Sequence, residues 1–371
     1  MDSPLRFRAD QVGSLLRPPE LLAARKDPAV HPERLRQIED GCILRALQRQ
    51  QDLGFRIFTD GELRRSQFMG DFYESVEGLD NDGSIARAWK GQSAAAGTAT
   101  AQPTGLVVGK IRQTKRLTKH EADFLLSHSP GDSKMTLPTA NQFPAIAYRK
   151  GLSEQAYATY SDFLWDVVPI IKSEIQALVH EGITYVQLDA PRYSYYLDPK
   201  WRDYIRNEMG RSVDDALDEA IRVDNACLQG ARRAGVVLAI HLCRGNSRSQ
   251  WYAEGGYDPI AERLFNQLDV DLFLLEYESD RAGTFEPLRF VPRTKAVVLG
   301  LVSSKVPGLE SQELLIHRID EASQYVPLEN LALSTQCGFA SSLEGNLLTE
   351  DEQWKKLQLV AETARAVWQT T

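Results

Sequence analysis

Short apolar runs rich in branched residues alternate along this chain with longer stretches whose apolar residues recur at three- and four-residue steps. The short runs predict strands over Asp10–Leu16, Ile57–Glu62, Lys134–Thr139, Tyr185–Asp189, Val237–Cys243, Asp271–Tyr277, Ala296–Val302 and Leu331–Cys337. The longer periodicity predicts helices over Pro32–Leu53, Ser153–Glu181, Val213–Ala234, Pro259–Leu268, Ser311–Gln324 and Glu350–Trp368. Strand-then-helix order of this kind builds parallel sheets with crossover helices. Eight strands predict an α/β fold of the (β/α)8 barrel type, a single domain over residues 1–371. A doubly wound open sheet is the competing architecture, but no Gly-x-Gly-x-x-Gly turn follows the first strand.

One stretch breaks the rhythm. Asn81–Thr114 is rich in Gly, Ser, Ala and Thr and then turns to Val107-Val-Gly-Lys-Ile-Arg112, which predicts an inserted β-ribbon and loop after the second strand. Its place after a barrel strand suits a lid or a substrate wall, with a decorative hairpin as the alternative.

Several predicted strands end on chemistry. His241 and Cys243 stand two apart at a strand terminus, so alternation puts both side chains on one face. Cys337 ends another strand, with Gly338 after it to let the chain turn away. Glu276 closes a third apolar run, and Glu278 lies on the same strand face; Glu276 is preferred because it follows the run directly. If these strands are parallel neighbours, the side chains converge on the face where barrel enzymes keep their chemistry. Imidazole, thiolate and carboxylate are ligands that zinc accepts. Cys42 and Cys227 lie inside helical patterns and read as buried thiols.

Composition narrows the partners. The chain has 371 residues, 43% hydrophobic and 25% charged, with a formal net charge of −8, and no basic stripe interleaved with aromatics; this argues against a nucleic-acid surface. Four cysteines are too few for a disulfide scaffold, and the two at proposed metal positions need reduced thiols, which favours the cytoplasm. The N-terminus lacks an apolar signal core, and no run approaches the ~18 apolar residues of a membrane span. Small molecules are the expected partners.

The sequence resembles the cobalamin-independent methionine synthases, within the barrels that also include the uroporphyrinogen decarboxylases. The matching stretches are Val12-Gly-Ser-Leu-Leu-Arg-Pro18, Thr59-Asp-Gly-Glu62, Val186-Gln-Leu-Asp189, His241-Leu-Cys243-Arg-Gly-Asn246, Leu275-Glu276 and Thr335-Gln-Cys337-Gly338, spread over nearly the whole chain. The resemblance is to the short, single-barrel branch. It implies zinc held by His241, Cys243, Glu276 and Cys337, so it favours Glu276 over Glu278. It also implies contacts from Ser14, Glu62 and Asp189 to a homocysteine-like thiol. Two stretches depart from the family pattern. Its Asp-Glu-Pro-Ala segment reads Asp189-Ala-Pro-Arg192 here, which replaces a carboxylate with a wall of Arg192, Tyr193, Tyr195 and Tyr196. The segment associated with the folate ring reads Thr139-Ala-Asn-Gln-Phe-Pro144 and lacks the family's tryptophan.

The expected chemistry follows from thiol acidity. A free thiol is mostly protonated at neutral pH, and zinc binding releases the proton to leave a nucleophilic thiolate. Asp189 and Glu62 would recognise a substrate ammonium as catalytic-site residues, Ser14 would fix the sulfur-bearing chain, and Arg244 and Asn246 would bind an anion on either substrate or cap the following helix. The expected function is methyl transfer from a small-molecule donor to a homocysteine-like thiol. The alternatives are another zinc-dependent reaction, such as thiol addition to an epoxide or a lyase step, and a non-enzymatic zinc or thiol binder.

Overall fold

Seven parallel strands in sequential spatial order form the body of the protein. The structure is a computed structural model that describes residues 5–80, 83, 89–91 and 105–371. Among these residues the strands are β1 (Ile57–Phe58), β2 (Val76–Asp80), β3 (Leu106–Gln113), β4 (Asp132–Pro138), β5 (Tyr185–Asp189), β6 (Val237–Leu242), β7 (Leu272–Glu276), β8 (Ala296–Val302) and β9 (Leu331–Thr335). The large sheet runs β1-β4-β5-β6-β7-β8-β9, with every neighbouring pair parallel. Its strands are buried on both faces, as their continuous apolar runs require.

The sheet curls. Alternate residues from one face, including Ile57, Tyr185, Ala239, Leu274, Val298 and Ala332, pack together with Leu5 and Phe7 in one inner cluster. The opposite face packs against helices in a second and larger core. Those helices start and stop at sequence signals: Thr159 and Thr349 close capping boxes with Asp162 and Glu352. The helices Pro32–Leu53 and Tyr160–Glu181 both end at a left-handed glycine, Gly54 or Gly182.

Two strand expectations change. Asp10–Leu16 is not a strand; Ala9 instead makes one parallel bridge to Leu333, with Asp10 N–H donating to the Leu333 carbonyl at 2.9 Å. The Asp10 carboxylate then turns inward to Lys134 Nζ (2.9 Å) and the Tyr185 hydroxyl (2.8 Å), a buried anchor that competes with ladder formation. Ile57–Glu62 is strand only over its first two residues, because the chain turns at Gly61 and Glu62, both with positive φ (71° and 55°). The other six parallel strands fall on the predicted runs within a residue or two.

A two-stranded antiparallel ribbon pairs β2 with β3 and includes the predicted Val107–Arg112 segment. The small-residue stretch Gln92–Gln102 lies outside the described residues. Of the helices, Pro32–Leu53 and Glu350–Trp368 match their expected bounds, whereas Lys119–His128 and Pro199–Asn207 were not among those expected. No helix among the described residues is long and apolar enough to cross a membrane.

Candidate metal centre and substrate pocket

Parallel pairing in register carries the C-terminal ends of the strands to one rim, with Pro138 beside Asp189 and Asp189 beside His241. Cys243 follows β6 and Cys337 follows β9. Long-range folding brings His241, Cys243 and Cys337 together: all three are buried, and each offers a ligand atom within 4.8 Å of the other two. Neither ring nitrogen of His241 has a hydrogen-bond partner. The Cys337 sulfur is near enough to raise the His241 pKa, yet the contact lacks hydrogen-bond geometry. A buried imidazole with two orphaned nitrogens beside two thiols is an unfavourable arrangement unless a cation joins them, and this donor set suits a soft or borderline metal ion.

The electrostatics agree. Burial works to lower the His241 pKa, but Cys337, Asp189 and Glu276 together hold it above the ordinary value. The Cys337 thiol is pushed well up, first by the Cys243 sulfur and then by burial, so the two thiols resist ionising side by side. A bound cation would reverse that penalty.

Glu276 is fully buried at the end of β7 but stands outside this trio. Its Oε2 accepts from the Arg244 backbone N–H at 3.0 Å, and its Oε1 accepts from Arg281 Nε at 3.0 Å. Burial alone would raise its pKa, but Arg244, Arg281 and Lys305 hold it below the usual carboxylate value. Glu278 pairs with the same Arg281, and burial followed by the charge of Glu276 pushes it up to about 7.

A cavity of about 910 Å³, counting its open mouth, spans from the trio to the surface. Its polar side includes Ser14, Glu62, Asp189, His241, Cys243 and Cys337. Asp189 accepts from Gln187 Nε2 at 2.8 Å, and its pKa is raised by burial against the lowering effect of His241. Glu62 accepts from Thr136 Oγ1 at 2.8 Å, and burial pushes it up to about 7 although Arg65 opposes the shift. Its positive φ is an uncommon conformation for a non-glycine residue and aims the carboxylate into the cavity rim. Ser14 packs tightly against Gly338; a Cβ at Gly338 would collide with the Ser14 hydroxyl, so only glycine leaves this contact intact.

Arg244 and the aromatic wall depart from their expected places. The Arg244 guanidinium donates to the carbonyl oxygen of Gly255 (2.6 Å) and lies against Tyr257, consumed by the loops behind the site instead of facing a substrate. Tyr193 bonds Asp224, Tyr196 bonds the Ala216 carbonyl, and Tyr195 stacks on Trp201, so all three tyrosines point into the helix layer. Arg192 lies behind the cavity wall, its guanidinium over Tyr195 and Tyr252 and its Nε donating to Oε1 of the lining residue Gln142 at 3.1 Å. Asn246 does line the cavity, with Nδ2 donating to the Gly338 carbonyl at 2.7 Å.

Residues with no motif signal complete the pocket: Phe68, Met69, Trp89, Ile146 and Tyr252 form its apolar side. The Trp89 ring meets Tyr252 edge-on at 5.4 Å, and Lys90 forms a β-bridge to Trp251 that anchors this wall. An isolated tryptophan amid small residues was the available hint for Trp89. Behind the floor, Arg65 grips Glu121 (2.6 Å) and donates to Thr136 Oγ1 (2.9 Å), which in turn holds Glu62; nothing local in sequence pairs positions so far apart.

Residues 17–364 match the model of the family described as cobalamin-independent synthase, catalytic domain. The chain belongs to this family. This cobalamin-independent synthase homologue is 39% identical over 381 residues to the uncharacterized protein YxjG of Bacillus subtilis (strain 168), spanning 98% of this chain and 95% of that one. It is 24% identical over 360 residues to the methionine synthase of Saccharolobus solfataricus, spanning 96% and 93%. Among solved structures it is similar to a protein of Listeria monocytogenes described as a vitamin-B12-independent methionine synthase candidate (TM-score 0.72, 27% identity, 99% of each chain). A B12-independent methionine synthase from Shewanella sp. W3-18-1, solved with selenomethionine, shares the fold (TM-score 0.75, 20% identity, 98% of each chain).

Proposed function

We propose that this protein is a zinc-dependent methyltransferase that moves a methyl group to the sulfur of a homocysteine-like amino thiol. The observation that carries the reading is the meeting of His241, Cys243 and Cys337 in the same cavity as two buried carboxylates, Glu62 and Asp189. In this reading the curled sheet is the wall of a single (β/α)8 barrel, with the segment around Ala9 in the eighth position.

Zinc bound by the trio would supply one thing, a cation that lets a substrate thiol ionise at neutral pH. Glu276 is the proposed fourth ligand, and to serve it must exchange the Arg281 guanidinium for the ion. The chain's own residues do the rest. Glu62 and Asp189 bind the substrate ammonium, and Ser14 orients the sulfur-bearing chain. The apolar side around Trp89 and Tyr252 excludes water and receives the methyl donor. The sulfur attacks the methyl carbon as the bond to the donor breaks, and that bond's electron pair leaves with the donor. Among the described residues the lining includes no lysine or arginine.

X-ray absorption at the zinc edge tests the reading. Adding homocysteine should increase the number of sulfur neighbours around zinc, whereas homoserine should not; an unchanged sulfur shell would remove thiol activation from the proposal.

A pH dependence follows from Glu62. Because burial raises its folded pKa from 4.5 to about 7, the protonated form favours the fold. That contribution is full below the unfolded pKa and is lost as pH rises through about 7. Ammonium binding needs the opposite state. Affinity for a thiol-free amino-acid analogue such as norleucine should therefore rise with pH through about 7, and Glu62→Gln should flatten the profile. A wild-type profile already flat from pH ~6 to ~8 would take Glu62 out of ammonium recognition.

A further inference from the structure

Lys305 is a buried cation that the proposed reaction does not use. It follows β8, is 5% exposed, and donates to three neutral oxygens: the Gly245 carbonyl (2.9 Å), Asn246 Oδ1 (2.8 Å) and the Gln250 carbonyl (3.3 Å). Among the described residues no carboxylate lies in hydrogen-bond reach of it, and Glu276 and Glu278 feel its charge only through space. The turn it holds begins at Cys243. From that turn Asn246 Nδ2 reaches the Gly338 carbonyl (2.7 Å), immediately after Cys337. The same carbonyl accepts from Ser304 Oγ at 3.0 Å, and Ser304 N–H donates to Gln336 Oε1 at 2.6 Å. The residue before Lys305 thus grips the segment bearing the second cysteine. These bonds tie the ends of β6, β8 and β9 into one polar clamp, and both thiols of the metal trio ride on the clamped turns.

We infer that Lys305 is a positioning residue of the metal centre: through Asn246 and Ser304 it sets the spacing of Cys243 and Cys337. The inference rests on the metal reading above. The clamp fixes where the sulfurs stand.

The experiment compares wild type, Lys305→Met and Lys305→Arg, each loaded with zinc or with cobalt(II) in its place. Zinc affinity is read by competition with a chromophoric chelator, and ligand geometry by the thiolate-to-cobalt absorption band. Lys305→Met should bind zinc about 10–100-fold more weakly and shift the cobalt band, and Lys305→Arg should recover most of both. Wild-type affinity together with a wild-type cobalt spectrum in Lys305→Met would overturn the clamp and leave the metal reading standing. Wild type that takes up no zinc would overturn both. Should Lys305→Met fail to fold, Asn246→Ala breaks the link to Gly338 while leaving the ammonium in place. The same weakening and band shift are then expected, and an unchanged spectrum counts against the clamp.

Discussion

Cys243→Ser and Cys337→Ser should each abolish methyl transfer and remove most of the roughly one zinc per chain expected of the purified wild type. Each substitution deletes one of the two sulfurs in a trio whose ligand atoms lie within 4.8 Å. Serine keeps the size but offers a hydroxyl that does not ionise at neutral pH, so the ion loses its best donor and the remaining thiol and imidazole cannot hold it alone. The fold should survive. The inner cluster of Ile57, Tyr185, Leu274 and Val298 and the outer helix-facing core do not pass through the cysteines. Elemental analysis beside a thermal melt separates the effects. Variants that keep full zinc would sink the assignment of these ligands, and variants that lose the fold would make the cysteines core residues first.

Asp189→Asn should weaken amino-thiol binding by about one to two orders of magnitude, because a hydrogen bond between charged groups contributes roughly 1.5–3 kcal/mol. Zinc content should stay at the wild-type level. The substitution can keep the oxygen that accepts from Gln187 Nε2 while it removes the charge and turns the other oxygen into an N–H donor. The effect on the free protein runs the other way. Burial raises the Asp189 pKa, so its ionised form opposes folding at neutral pH, and that penalty disappears in the amide. The expected signature is a higher KM at unchanged zinc and an unchanged or higher Tm. Equal affinity for homocysteine in both proteins would show that Asp189 does not bind the ammonium.

The contrast between Asp189 and Arg244 shows how far local sequence reaches. Both are charged residues just past an apolar run, and both were expected to meet substrate. Asp189 ends β5 itself, so strand alternation and register are enough to place it on the rim. Arg244 lies beyond the end of β6, where no periodicity constrains the side chain, and the carbonyls of Gly255 and Ala282 claim its guanidinium. The tyrosines after Arg192 follow the same rule: a short 3-10 turn over Pro191–Tyr196 sets them against Asp224, the Ala216 carbonyl and Trp201. Glu276 ends its strand as expected, but its present partner is Arg281, five residues further along a loop.

What the sequence determined by itself is therefore periodic and local. Alternation of apolar runs and helical stripes specified the order of the parallel strands, and residues standing at or just past strand ends specified where imidazole, thiol and carboxylate could gather. Tertiary structure alone decided the rest. It converted the first expected strand into an inward turn pinned by Lys134 and Tyr185, and it supported Glu62 through Thr136, Arg65 and Glu121. It also built an apolar wall from Trp89 and Tyr252 and set Lys305 against the cysteine turns. The physical reason is that each of these depends on which groups, far apart in the chain, are left to satisfy a buried charge or hydrogen bond once the strands have paired, and no local pattern encodes that competition.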